Sequence, residues 1–269
     1  MLEQPKIINK INSFTIDSLP HSILLLGDRG SGQEELCEYI ANKFNLTLFN
    51  LTETITNDFI SEINGFNSPY LYIVNMLKIT EREQNILLKL YEEPSNFTYL
   101  ILYGENDQSI LETIKNRSYT LLMDKFTPKQ LEKYITSNEK ELILNICTTP
   151  GQVEIANHTN MKSLYDLCNT MIDKLKVSNF SNALSISSKI NFKDEYDKYD
   201  LYLFIKVLSD VLTKRMAQNT TRELLEMYFC LDDVNHRIWP LLNKKQQFEN
   251  CIIKLWELSR VYKKSEEMV

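Results

Sequence analysis

Glycine, histidine and tryptophan are scarce in this sequence, with 6, 3 and 2 of them among 269 residues. No apolar run approaches the roughly 18 residues that a bilayer span requires. The opening Met1-Leu2-Glu3-Gln4-Pro5-Lys6 lacks the charged-then-apolar layout of a signal peptide, so a cytoplasmic protein without membrane contact is expected. The 5 cysteines, Cys37, Cys147, Cys168, Cys230 and Cys251, are odd in number and include no Cys-x-x-Cys pair. This argues against a disulfide framework or a zinc module and for thiols packed as small hydrophobes, and no metal site is expected. Positive charge is also in deficit, 30 Lys and Arg against 36 Asp and Glu for a net charge of -6. The chain as a whole therefore lacks the basic footprint of an autonomous nucleic-acid binder, and any DNA contact should be local or shared with partners.

What is present is a composition able to bury one substantial core and smaller ones, 43% hydrophobic and 25% charged. Half of the glycines, Gly27, Gly30 and Gly32, fall in a single loop, so backbone freedom is concentrated there. Before the loop, Ser22-Ile-Leu-Leu-Leu26 is continuously apolar, as a strand buried on both faces would be. After it, Leu36, Cys37, Ile40, Ala41 and Phe44 recur at helical spacing. The unit reads strand, glycine loop, helix. Further apolar runs over residues 47–51, 71–74, 99–102 and 120–123 predict strands of a parallel sheet separated by helical or mixed segments. A helix between two of these strands has Thr80 and Glu83 as a capping box, Ile86, Leu87, Leu90 and Tyr91 on one face, and Pro94 as its stop. From Thr127 the strand patterns fade. Helices are expected from Pro128, with a second joint near residues 177–181, and the domains are drawn as 1–126, 127–176 and 177–269.

A phosphate-binding loop reads Gly-x-x-x-x-Gly-Lys-Ser/Thr. Its backbone N–H groups cradle phosphates, the Lys reaches the outer ones and the hydroxyl holds magnesium. Gly27-Asp-Arg-Gly-Ser-Gly32 supplies the glycine part, but Gln33 stands at the Lys position and Glu34 at the hydroxyl position. Unit charges about 4 Å apart interact by roughly 4 kcal/mol at an effective dielectric near 20, so losing a cation and gaining an anion weakens phosphate binding by several kcal/mol. Arg29 is the only cation inside the loop. A second ATPase element, an apolar strand ending in Asp-Glu, is replaced by Leu71-Tyr-Ile-Val74 followed by Asn75 and Met76, neither able to serve as a base. A glycine-rich turn taken alone also fits an unrelated α/β fold.

The stretch from Leu71 through Asn85-Ile-Leu-Leu-Lys-Leu-Tyr-Glu-Glu-Pro94, with Tyr99-Leu-Ile-Leu-Tyr103 and Leu111-Glu-Thr-Ile-Lys-Asn-Arg-Ser118, resembles bacterial DNA polymerase III clamp-loader subunits of the delta prime and gamma type. In that family the helix after the Walker B strand reads close to Asn-x-Leu-Leu-Lys-x-Leu-Glu-Glu-Pro, and the later motif is Leu-x-Thr-Ile-x-Ser-Arg-Cys. The resemblance covers roughly residues 22–126. It implies an AAA+ core with a parallel sheet, a small helical lid and an all-helical collar that assembles subunits. It implies a silent, delta prime type subunit, because Gln33, Glu34, Asn75 and Met76 replace the ATPase residues and Pro150-Gly-Gln152 falls where active relatives carry a phosphate-sensing Arg. The family's four-cysteine zinc module is absent.

On this resemblance Arg117 is an arginine finger reaching a neighbour's ATP site, with Asn116 and Ser118 in place of the flanking Ser and Cys. The other reading of Arg117 is a solvated side chain at a helix end. The chain would hold no cofactor of its own, ATP being bound by gamma/tau-type partner subunits. Its other partners would be a delta-type subunit, the sliding clamp and primed DNA through the assembly alone. Two further readings stay open: an active ATPase in which Arg29 or a distant Lys replaces the missing cation, and an interaction module that occupies a clamp loader without loading clamps. Trp239 and Trp256, and the series Tyr196, Tyr199, Tyr202 and Phe204, are expected to pack helices or an interface, and the pairs Lys244-Lys245 and Lys263-Lys264 to be solvated.

Overall fold

The computed structural model describes residues 3–63, 69–92, 98–107, 110–177, 179–188, 190, 192, 200–236 and 243–266. Two compact units emerge, Met1–Thr127 joined by Thr149–Gly151, and Pro128–Thr148 joined by Gln152–Val269.

The first unit is a parallel sheet of five strands, β1 (Ser22–Leu26), β2 (Thr47–Asn50), β3 (Tyr70–Asn75), β4 (Thr98–Gly104) and β5 (Tyr119–Leu122), in the spatial order β2-β3-β4-β1-β5. Interior β1 pairs with β4 on one side and edge strand β5 on the other, so Leu24 faces Leu102 and Thr120. Alternation along β1 serves two cores. Ile23 and Leu25 join α1 (Pro5–Asn12) and α2 (Gln33–Phe44) on one face, while Leu24 and Leu26 join α3 (Asn57–Ile63) and α4 (Glu81–Glu92) on the other. The strands fall where the apolar runs predict them, within a residue or two at each end. Edge strand β2 is mostly exposed, as an edge requires.

Helix α4 carries the expected capping box. Thr80 N donates to Glu83 Oε2 at 2.6 Å and Glu83 N donates to Thr80 Oγ1 at 3.3 Å. Leu87 and Leu90 are buried, with Ile86 and Tyr91 packed beside them. The four-residue helix α5 (Glu112–Lys115) follows β4 and plants Ile114, fully buried, in the same core. Short helices such as α1, α3 and α5 have too few turns for their periodicity to stand out in sequence.

The second unit is helical throughout its described residues. It begins at Pro128 with α6 (Pro128–Leu131), followed by α7 (Lys140–Ile146), α8 (Pro150–Asn157) from Gln152 on, α9 (Met161–Val177) and α10 (Phe180–Ser188). It ends with α11 (Leu201–Gln218), α12 (Arg222–His236) and α13 (Lys244–Glu266). Asp200 caps α11 by accepting from Leu203 N at 2.9 Å. Phe204 and Phe248, fully buried, meet Phe192 edge-on with ring centroids 4.9 to 5.9 Å apart. Tyr202 lies under the Lys206 ammonium at 5.0 Å, and half-buried Trp256 meets Phe180 at 5.4 Å. Glu93, Pro94, Tyr196, Tyr199 and Trp239 lie outside the described residues, as do the side chains of Lys263 and Lys264.

Candidate functional site

The glycine loop joins β1 to α2 at the carboxyl end of the sheet, beside the strand where the chain order reverses. Open α/β sheets bind ligands at this position. Gly30 and Gly32 hold φ of 82° and 91°, left-handed values that a side chain resists, which is why glycine recurs here. Gly27 donates from N to Gly104 O at 3.0 Å, and a Cβ on it would meet Met123 Cβ at 2.7 Å.

Several carbonyls of this loop, and the side chains of Ser31, Gln33 and Glu34, are bonded within the protein itself. Gln33, at the Lys position, folds back so that its Nε2 donates to Gly27 O at 2.7 Å and Asp28 O at 3.2 Å. Asp28 O also accepts from Ser31 N and Ser31 Oγ. Glu34, at the hydroxyl position, accepts at Oε1 from Tyr103 Oη at 2.7 Å. Tyr103 closes β4 and is only 6% exposed. Burial, followed by the bond to Glu34, pushes its phenol well above the ordinary value, so it stays a neutral donor, although a bond with Asn75 acts the other way. A chain of polar contacts thus runs from Glu34 on α2 through Tyr103 on β4 to Asn75 on β3. Sequence reasoning missed Tyr103; its one signal is a hydroxyl at the carboxyl end of an otherwise apolar strand.

Asn75 accepts at Oδ1 from Leu77 N at 3.0 Å, while its own N donates to Thr52 Oγ1 at 3.0 Å. Met76 is a core residue, 1% exposed, with its Cβ 3.5 Å from where a side chain on Gly104 would begin. The positions that would carry the Walker B acids are thus filled by an amide capping its own turn and by a buried thioether.

A second contact closes over the loop within the same unit. Thr149 Oγ1 donates to Arg29 O at 2.7 Å, and Gly151 N donates to Gly30 O at 3.0 Å. The approach is so close that a Cβ on Gly151 would lie 2.8 Å from Gly30 Cα. Gln152, where a sensing Arg is expected in active relatives, belongs to the second unit, 4% exposed. Its Oε1 there accepts from Thr148 N at 3.0 Å and Lys206 Nζ at 3.0 Å.

Arg117 is not brought to this loop. It follows α5 and leads into β5, beside the amino-terminal ends of β1 and β4, at the opposite end of the sheet. It is exposed, its Nη1 donates to Thr113 O at 3.0 Å, and it lines a cavity of about 520 Å³ with His21, Ser22, Tyr91, Thr98 and Ser118. Behind it three hydroxyls meet: Ser22 Oγ and Tyr91 Oη at 2.9 Å, Ser22 Oγ and Ser118 Oγ at 3.0 Å, and Tyr91 Oη and Ser118 Oγ at 3.1 Å. Burial raises the Tyr91 pKa, against the lowering effect of its Ser118 and Ser22 bonds. Among the described residues no group of three or more His, Cys, Asp or Glu could hold a metal ion, and no helix is long and apolar enough to cross a membrane.

Five parallel strands in this order, with a glycine loop between β1 and the first long helix, form an α/β core whose loop lies where such sheets bind ligands. Residues 53–127, which hold β3, β4, β5, α4 and the Arg117 segment, match the family model described as DNA polymerase III, delta subunit. No curated protein matches the chain. Among solved structures, a DNA polymerase III gamma subunit-related protein of Thermotoga maritima is similar at 18% identity over 96% of this chain and 100% of that one, with a TM-score of 0.49. A RuvB mutant of the same organism is similar at 15% identity over 81% and 83%, with a TM-score of 0.46.

Proposed function

We propose that this chain is a non-catalytic, delta prime type subunit of a DNA polymerase sliding-clamp loader, silent at its own glycine loop and supplying Arg117 to a neighbour's ATP site. On this reading it binds no nucleotide, and ATP is held by gamma/tau-type partners. A delta-type subunit, the sliding clamp and primed DNA are met through the assembly in the cytoplasm. Its helical part would divide into a lid, residues 127–176, and an assembly collar, residues 177–269.

The observation that carries the reading is the filled loop. Where an ATPase needs an open cradle, a mobile cation and a magnesium-binding hydroxyl, this chain has Gln33 bonded to loop carbonyls, Glu34 bonded to Tyr103 and Gly151 seated on Gly30. An anionic Glu34 beside the cradle repels phosphate, and loop carbonyls already bonded leave the loop no need to rearrange. A charge that could act on a neighbour's phosphate, Arg117, sits exposed at the other end of the sheet. There it serves a neighbouring subunit's phosphates and not those of its own loop. An arginine supplied in trans contributes roughly 10³ to 10⁵ in rate at the site it completes.

The test is ATP turnover by the isolated chain and by its complex with the clamp-loader ATPase subunits of its source, with and without Arg117→Ala. The isolated chain is expected to be inactive, and Arg117→Ala to lower the turnover of the complex while leaving assembly intact. Turnover by the isolated chain, or a complex indifferent to Arg117→Ala, would refute the reading.

A further inference from the structure

The hydroxyl cluster behind Arg117 is built from residues that depart from the pattern the chain resembles. Tyr91 stands where that pattern has Leu before Glu-Glu-Pro, and Ser118 where it has Cys, so two new hydroxyls meet across the space between α4 and the Arg117 turn. Ser118 Oγ also lies 2.9 Å from Ile114 O and donates to it, which spends its one proton. Ser118 can then only accept from Tyr91 and Ser22, and the three mutual contacts share the two protons left. Whichever way those protons lie, the three contacts tie α4 and β1 to the turn that carries Arg117.

That turn is held at both ends by one helix. Gln84, buried on α4, accepts at Oε1 from Leu111 N at 2.9 Å where the segment starts, and Tyr91 holds Ser118 where it ends. Gln84 and Tyr91 lie seven residues apart, two helical turns, and so share a face of α4. Leu111 and Ser118 lie seven apart as well, so α4 and the Arg117 segment run side by side in register. Between these anchors, Arg117 N donates to Ile114 O at 3.1 Å, the same carbonyl that receives the Ser118 hydroxyl. Movement at Ser118 is therefore passed to the Arg117 backbone through a shared acceptor.

We infer that Tyr91, acting with Ser22 through Ser118, is a positioning residue that fixes the direction in which Arg117 leaves the core. The inference rests on the proposed role of Arg117 in trans. The hydroxyls touch no phosphate themselves. They restrict the Asn116–Ser118 turn so that the guanidinium is released from Thr113 O toward a neighbour's phosphate without first ordering its backbone. A positioning residue of this kind acts on kcat and leaves ATP binding by the partner unchanged.

The experiment is a double-mutant cycle of Tyr91→Phe and Arg117→Ala in the complex with partner ATPase subunits. It measures kcat, the KM for ATP and the affinity of assembly. Tyr91→Phe is expected to lower kcat by roughly 3- to 10-fold, the loss of about one hydrogen bond's worth of orientation, with KM and assembly unchanged. It should lower kcat no further when Arg117 is already Ala. Should Tyr91→Phe weaken assembly, Ser22→Ala repeats the cycle from the β1 side. If Arg117→Ala lowers kcat but Tyr91→Phe and Ser22→Ala do not, or if they lower it equally in the Arg117→Ala background, the positioning role is overturned. If Arg117→Ala has no effect, the trans role falls first and takes this inference with it.

Discussion

Gly151→Ala is predicted to destabilise the first unit, and the sign is informative because local propensity predicts the opposite. Gly151 is the second residue of α8 and has no left-handed φ, so on backbone grounds Ala should stabilise by about 0.5 to 1 kcal/mol. Against that, the new Cβ would stand 2.8 Å from Gly30 Cα, 3.1 Å from Gly30 O and 3.4 Å from Gly30 C. Carbon atoms pack best at about 3.5 to 4.0 Å, so the chains must part by roughly 0.7 Å. The obstacle is backbone held in a left-handed turn, which cannot rotate aside. Parting by that amount stretches the Gly151 N to Gly30 O bond beyond hydrogen-bonding length from its present 3.0 Å.

Overpacking costs about 1 to 3 kcal/mol and a lost hydrogen bond about 1, so a net loss of roughly 1 to 3 kcal/mol survives the propensity gain. For a unit of this size that lowers Tm by several degrees. Urea unfolding by circular dichroism gives the magnitude, and hydrogen exchange of the peptide spanning residues 27–36 gives the place. Trp256 lies in the helical unit, so its fluorescence would miss the event. A variant as stable as the parent, or more so, with unchanged exchange in the loop, would refute the seating of Gly151 on Gly30.

Two further outcomes are expected. Thr80→Ala removes the hydroxyl half of the α4 capping box, leaving the Thr80 N to Glu83 Oε2 bond, and should cost about 1 kcal/mol by urea denaturation, whereas Thr80→Ser should be nearly neutral. Alkali should weaken the fold. Burial, and then the Glu34 charge, raises the Cys37 thiol well above its ordinary value, so above about pH 8.5 the unfolded chain loses a proton that the folded chain keeps. The unfolded state then binds fewer protons and stability falls as pH rises, by up to about 1.4 kcal/mol per pH unit for each such thiol. Cys37→Ala should flatten the slope of stability between pH 9 and 10 by about that amount, whatever it does to stability at pH 7.

Much of the core was legible in the sequence because its signals are local. Short continuous apolar runs bounded by turn or glycine signals fit strands covered on both faces, as β1, β3 and β4 are, and Thr80 with Glu83 marks a helix start through bonds made within four residues. Three glycines in one loop marked where backbone freedom is concentrated, and two of them, Gly30 and Gly32, take left-handed φ there. The identities of Gln33, Glu34, Asn75 and Met76 already told against phosphate chemistry, since charge and hydrogen-bonding capacity belong to the side chain alone.

What those side chains do instead was decided by tertiary structure. Glu34 and Asn75 are linked through Tyr103 across three elements, and Gly151 reaches Gly30 across 121 positions of sequence. Tyr91 and Ser118 meet because α4 and the Arg117 segment lie in register. Composition and periodicity carry no term for such contacts. Each depends on where the sheet brings strand ends and helix faces, a property of the whole fold that a hydroxyl or a glycine read in isolation does not possess.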